Sequence, residues 1–184
     1  YRLTEQSADQ TGIFYDNSLK SLSSEKGIRL HGKYSDLFCT EGGTSLFYLV
    51  NMDEGKTPIN AIDLVIKIVH EIKLEFPNKK VAVLAAFRDT VNSIVDRMLN
   101  FKMSFNNLEV NTVDRIQGMT VDICIYLAPS YKTKFSFNDN RFNVATSRAK
   151  NGTLIIAENL ISNQKLLSSK VMTYFKDTHK KVNK

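Results

Sequence analysis

Arg141 and Arg148 stand seven residues apart in the stretch RFNVATSRAK, with Asn143 and Ser147 between them. A guanidinium group is always charged, planar and forked, so it matches phosphate oxygens better than an ammonium does. At about 3.6 residues per helical turn, seven residues return to nearly the same face, about 20° short of two turns. The spacing predicts a helix over Arg141–Lys150 with two guanidinium groups on one face and Phe142, Val144 and Ala145 packed inward. Such a face either sits in solvent or meets phosphate.

A second stretch, TVDRIQG, runs from Thr112 to Gly118. It follows a short β-type run and offers Thr112 and Asp114 as short polar side chains. Gln117 and Gly118 then make a turn, and Gly118 permits close backbone approach. A plain turn, with Asp114 capping a short helix, is the competing reading. A phosphate cradle is missing: Gly55-Lys56-Thr57 ends like a P-loop, but the glycine required five residues before Gly55 is Val50. No apolar run ends in paired acids for Mg²⁺, so no metal ligands are assigned.

These residues need a scaffold. The chain has 184 residues, 42% of them hydrophobic, with 3 Pro and 8 Gly. That suits one packed domain, 1–184, and excludes disordered or fibrous classes. No apolar run is long enough to span a membrane, and the first residues lack a signal-peptide pattern. Opening on Tyr1, the chain is expected to be a fragment of a longer protein. Cys124 sits in the apolar run VDICIYLA and Cys39 stands apart from it, which suggests reduced thiols and an intracellular, cytoplasmic setting. The net charge of +6 is suggestive of a polyanionic partner. Much of it gathers among the lysines from Lys165 onward, and 176–184 reads as a solvated basic tail. Residues 23–45 hold four of the eight glycines and read as an irregular insertion.

Beyond that insertion the pattern is regular. SLFYLVN is a strand, and Thr57-Pro58 opens a helix with the stripe Ile59, Ile62, Ile66, Val69, Ile72. KKVAVLAAF is a strand, and Asp89 caps a helix with the stripe Val91, Ile94, Val95, Met98. LEVNTV, VDICIYLA and GTLIIAE are strands, and a last helix starts near Ile161. Strands apolar on both faces, separated by helices, imply an α/β fold with a parallel sheet covered on both sides. Ligands of such sheets sit beyond the carboxyl ends of the strands, which points to Arg88 and to Asp114–Gly118.

VNTVDRIQGMTVDICIY followed by NRFNVATSRAKNGTLII resembles the paired late motifs of superfamily 1 helicases, in the branch of the nonsense-mediated-decay and nidovirus helicases. VAVLAAFRDTV and LTEQSADQTGIFYDNSL resemble, more weakly, two earlier segments of that family. The resemblance implies a second RecA-like lobe: a three-layer sandwich of the P-loop NTPase type, with a mainly parallel sheet but no P-loop of its own. It implies ATP and Mg²⁺ held mainly by a first lobe, with Arg148 as the finger on the γ-phosphate. Gln117, Gly118, Thr120 and Arg141 fall on the nucleotide side, Thr120 replacing a glutamate near the ribose and Arg141 supporting the finger's helix. Arg88, Thr112 and Asp114 fall along the single-strand track. The implied partners are the N-terminal lobe and single-stranded nucleic acid, with DNA taken ahead of RNA. The isolated chain is expected to be inactive. One departure is Ala8, where the family has an arginine that also touches the γ-phosphate; Arg88 or a first-lobe residue would have to replace it. The alternative is a degenerate lobe that binds nucleic acid or protein without productive hydrolysis. Phe87, Phe101 and Phe105 could stack bases, but core or helix-end packing is their first reading.

Overall fold

The computed structural model describes residues 3–116, 118–159 and 166–183. Gln117 lies outside the described residues, as does Ile161, where the last helix was expected to start.

Among the described residues one sheet holds β1 (Thr44–Leu49), β2 (Val81–Ala85), β3 (Leu108–Thr112), β4 (Val121–Ala128), β5 (Ala149–Glu158) and β6 (His179–Asn183). Their order is β3-β2-β4-β5-β1-β6, and every pairing is parallel. All residues of β1 and β2 are buried, as the unbroken apolar runs require. Alternate residues of β2 serve opposite faces. Val81 and Val83 join one core, with α2 (Ile59–Glu75) and α3 (Arg88–Asn100). Ala82 and Leu84 join the other, with α5 (Asp139–Thr146) and α6 (Ser169–Tyr174). The helices from β1 to β3 cover one face; those from β4 to β6 cover the other. Right-handed crossovers produce this doubly wound arrangement. The short α1 (Glu5–Gly12) closes the amino end of β1, where Gln10 Oε1 accepts from Thr44 N at 2.8 Å, and α4 (Thr133–Ser136) follows β4.

Several boundaries differ from the expected ones. Pro58, not Thr57, caps α2, and Ile59 is 40% exposed while Ile62, Ile66, Val69 and Ile72 are buried. Asp89 lies inside the first turn of α3 and takes Lys56 instead of capping. The largest correction concerns Arg141–Lys150. The helix stops at Thr146, because Ala149 must pair with Val121 and Val121 N donates to Arg148 O at 3.0 Å. Strand pairing ends the helix, so Arg141 and Arg148 do not share a helical face.

Residues 23–43 are irregular, yet Ile28, Leu30, Leu37 and Phe38 are buried in the first core. The lysine-rich end, read as a tail, carries the backbone of β6 along β1. Its charge concealed a strand whose partner lies more than a hundred residues earlier.

Candidate nucleotide and strand sites

Packing on the second face sets the position of α5. Phe142 is fully buried, with its ring edge-on to Tyr174 at 4.9 Å. Asn138 caps the helix by accepting from Asn140 N, and Ser168 Oγ bonds Asp139. Tyr126 donates to Ser136 O at 2.6 Å, and burial pushes its phenol up. Tyr174 and Thr44 share a 2.6 Å hydrogen bond, and burial pushes the Tyr174 phenol up to about 12.

At the amino ends of β4 and β5, Val121 N donates to Arg148 O at 3.0 Å, so the loop that holds Gly118 and Thr120 leads directly to the Arg148 backbone. Gly118 and Thr120 are exposed in the loop entering β4, and Gly118 has φ +86°. Arg148 is half-buried. Its Nε donates to Val144 O and its Nη2 to Ser147 Oγ, both at 3.1 Å. Three described arginines are half-buried. Arg97 pairs with Asp63 and Arg141 with Asp114, whereas Arg148 has no carboxylate partner among the described residues. Its charge reaches Cys124: burial pushes that thiol up to about 12, and Arg148 opposes the shift. The cation is thus oriented by two neutral oxygens and has no carboxylate beside it among the described residues, an arrangement suited to an incoming anion.

At the carboxyl ends of β2 and β3 stand Arg88, exposed on the first residue of α3, and Thr112, half-buried at the end of β3. Lys56 reaches the same region from the loop after β1, pairing with Asp89 at 3.1 Å; that carboxylate raises its pKa. Beside them three rings gather: Phe87 lies 5.2 Å from Phe135, nearly parallel, and 5.6 Å from Tyr131, edge-on.

Asp114 and Arg141 meet over the second face. The 3-10 turn Val113–Arg115 crosses the sheet there, and Arg141 Nη2 donates to Asp114 Oδ2 at 3.2 Å. The Arg141 guanidinium also lies 3.9 Å from the Phe135 ring centre. An open concavity of about 460 Å³ adjoins it, lined by Asp114, Arg141, Asn138, Asn140 and Asn143 among others. The predicted residues therefore separate into two ends and a bridge, not one site beyond the carboxyl ends. Asp114–Ile116 follow β3, and Gly118 already stands before the amino end of β4.

Ala8 is fully buried in α1. Arg88 sits at the carboxyl end of the sheet and Arg148 at the amino end. The ten residues of β5 separate those ends by roughly 30 Å at a strand rise of about 3.3 Å. Phe101 and Phe105 precede β3 at the amino side, 62% and 36% exposed, away from Arg88. Tyr131 and Phe135 were missed. Their signal was YKTKF, aromatic and basic residues interleaved just after a buried strand.

Residues 4–160 match a family described as an AAA domain (AAA_12). Replicase polyprotein 1ab of Bat coronavirus HKU9 is 37% identical over 89 residues, covering 48% of this chain and 1% of the polyprotein. Replicase polyprotein 1ab of Murine coronavirus (strain JHM) is 26% identical over 161 residues, 87% of this chain and 2% of that one. The probable helicase MAGATAMA 3 of Arabidopsis thaliana is 28% identical over 120 residues, 58% of this chain and 13% of that protein. The chain thus spans a small fraction of these relatives' lengths. The C-terminal domain of a possible DNA helicase from Lactobacillus plantarum WCFS1 aligns with a TM-score of 0.53 at 12% identity, over 91% of this chain and 97% of that domain. That likeness is one of fold, the RecA-like sandwich of helicase domains.

Proposed function

The chain belongs to the AAA_12 family of AAA domains, a helicase-family domain homologous to helicase C-terminal lobes, and on that premise we propose that it is the second motor lobe of an ATP-dependent nucleic-acid helicase or translocase. The observation that carries the proposal is the half-buried guanidinium of Arg148, without a carboxylate partner among the described residues, at the amino end of β5, where Val121 N donates to Arg148 O just after the loop that holds Gly118 and Thr120. ATP would bind between this end and a partner lobe. Arg148 would then stabilise charge developing on the transferred phosphoryl group, an effect worth roughly 10³ to 10⁵ in rate. Gln117, outside the described residues, belongs to the same proposed contact by its place in the sequence. ATP and Mg²⁺ would be held mainly by the partner lobe, as the resemblance to superfamily 1 helicases implies.

The opposite end would carry the single strand, with Arg88 and Thr112 on phosphates. Such contacts give affinity without sequence choice. Asp114, by its ion pair, would hold Arg141 in place between the two ends, so that strand and nucleotide contacts share one helix. DNA ahead of RNA, and a cytoplasmic setting, are part of the proposal.

A buried Ala8 at the position of the family arginine favours a second reading, a lobe that binds strands without productive hydrolysis. The test is strand-stimulated ATP turnover. A protein carrying both lobes should hydrolyse ATP, and this chain alone should not. Turnover above roughly 1 per second by the chain alone would contradict the proposal, and inactivity of the two-lobed protein would favour the second reading.

A further inference from the structure

The face of the sheet opposite α5 carries a groove that neither proposed end uses. A concavity of about 620 Å³ opens between α2 and the chain just after α3, with Tyr34, Glu71, Phe101 and Met103 in its lining. A second concavity of about 280 Å³ shares Lys33, Tyr34 and Lys67 with it. Together they follow α2 from Asn60 to Glu71, roughly 16 Å at 1.5 Å per residue. Glu71 is half-buried, and its Oε2, shut off from solvent, has no hydrogen-bond partner among the described residues. No ion pair among them reaches it either. Asp63, about two turns earlier on α2, shows what is missing: Arg97 Nε donates to it at 2.6 Å. Arg97 is the last arginine of α3, which ends at Asn100, so that helix has no second one for Glu71. Lys67 precedes Glu71 by four residues, the less favourable order for an ion pair along a helix, and it stays exposed. Burial, and after it the Glu71 charge, raise the Tyr34 phenol above its ordinary value, so the carboxylate acts on that ring.

An unpaired carboxylate repels phosphate, so a nucleic-acid strand suits this groove poorly. A planar cation suits it well. Guanidinium meets a carboxylate with its fork and a ring with its face. Phe101 is 62% exposed and has no ring or cation contact among the described residues. Lys33 and Lys67 are exposed on the rim and suit an acid beside that cation. The length of the groove matches about five extended residues at 3.3 Å each. We propose that the groove docks an extended segment of a partner protein, which inserts an arginine between Glu71 and Phe101. An acidic residue next to that arginine meets Lys33 and Lys67. The cation satisfies the carboxylate that α3 leaves unpaired.

The test uses a blocked pentapeptide, alanyl-leucyl-arginyl-aspartyl-leucine, and its twin with neutral citrulline in place of arginine. Each is titrated into the purified chain while the methyl signals of Ile66 and Met103 are followed by NMR. The arginine peptide should shift both signals saturably and bind at least about fivefold more tightly than its twin. Glu71→Gln should erase that preference. It removes a charge that has no partner, so the variant should fold, and an unmoved Ile155 methyl signal in the other core checks this. Lys67→Gln should weaken both peptides alike, since both carry the aspartate. Equal binding of the twins, a preference that survives Glu71→Gln, or no saturable shift by about 10 mM would overturn the docking site. Stronger shifts of the same signals by a single-stranded oligothymidylate would overturn it in favour of nucleic acid. Self-association of the chain that Glu71→Gln abolishes would overturn it in favour of a second copy.

Discussion

The two cysteines show how placement, not residue type, sets chemistry. Cys124 is buried in β4 and its thiol is pushed up to about 12, mainly by loss of water. Cys39 is half-buried, with Sγ 3.4 Å from Gln6 Oε1. Alkylation of the folded chain near neutral pH should label Cys39 and spare Cys124; labelling of both at similar rates would contradict the burial. The same shift has a sign in stability. The unfolded Cys124 thiol releases its proton near 9.0, whereas the folded one holds it to about 12. The unfolded state therefore binds fewer protons in that window, and stability falls as pH rises through it. Tyr174, shifted from 10.0 to about 12, acts in the same direction. A Tm that rose with pH above 9 would refute this. At this scale the sequence was informative about types: an apolar run around Cys124 announced a buried thiol. It was silent about partners, because Asp114 and Arg141 meet across 27 residues.

At the scale of elements, continuous apolar runs were legible as buried parallel strands, since both faces of such strands need apolar side chains. Helix ends were less so. The end of α5 depends on the pairing of Ala149 with Val121, a long-range constraint that a local period cannot contain. The segment expected to be irregular, 23–45, is so as far as residue 43, and Thr44 and Ser45 open β1. The glycines of 23–43 suggested loops, and the backbone is irregular, but Ile28, Leu30, Leu37 and Phe38 seal the first core. Gly27 fixes that segment. A Cβ there would stand 2.1 Å from Cys39 O and 2.4 Å from Gly42 N, both backbone atoms. Gly27→Ala should therefore lower stability by about 1–3 kcal/mol or more, as overpacking does. Denaturant midpoints of the two proteins measure it. An unchanged midpoint would mean that this segment does not clasp the core as described.

For the whole molecule, the sheet separates two kinds of chemistry by its own length. Arg148, Gly118 and Thr120 gather at the amino ends, and Arg88, Thr112 and the ring cluster gather at the carboxyl ends. The link between them is α5, whose first turns carry Arg141 against Phe135 and whose end leads to Arg148. The motifs revealed which residues matter, but their division between ends follows from a crossover that the sequence does not display. The central claim is that Arg148 acts on nucleotide and not on the strand. Its most direct test is Arg148→Ala in a protein carrying both lobes, with ATP turnover and nucleotide-free strand affinity measured on the same preparation. Turnover should fall by about 10³ or more, while strand affinity should change little. Unchanged turnover with lost strand binding would contradict the account.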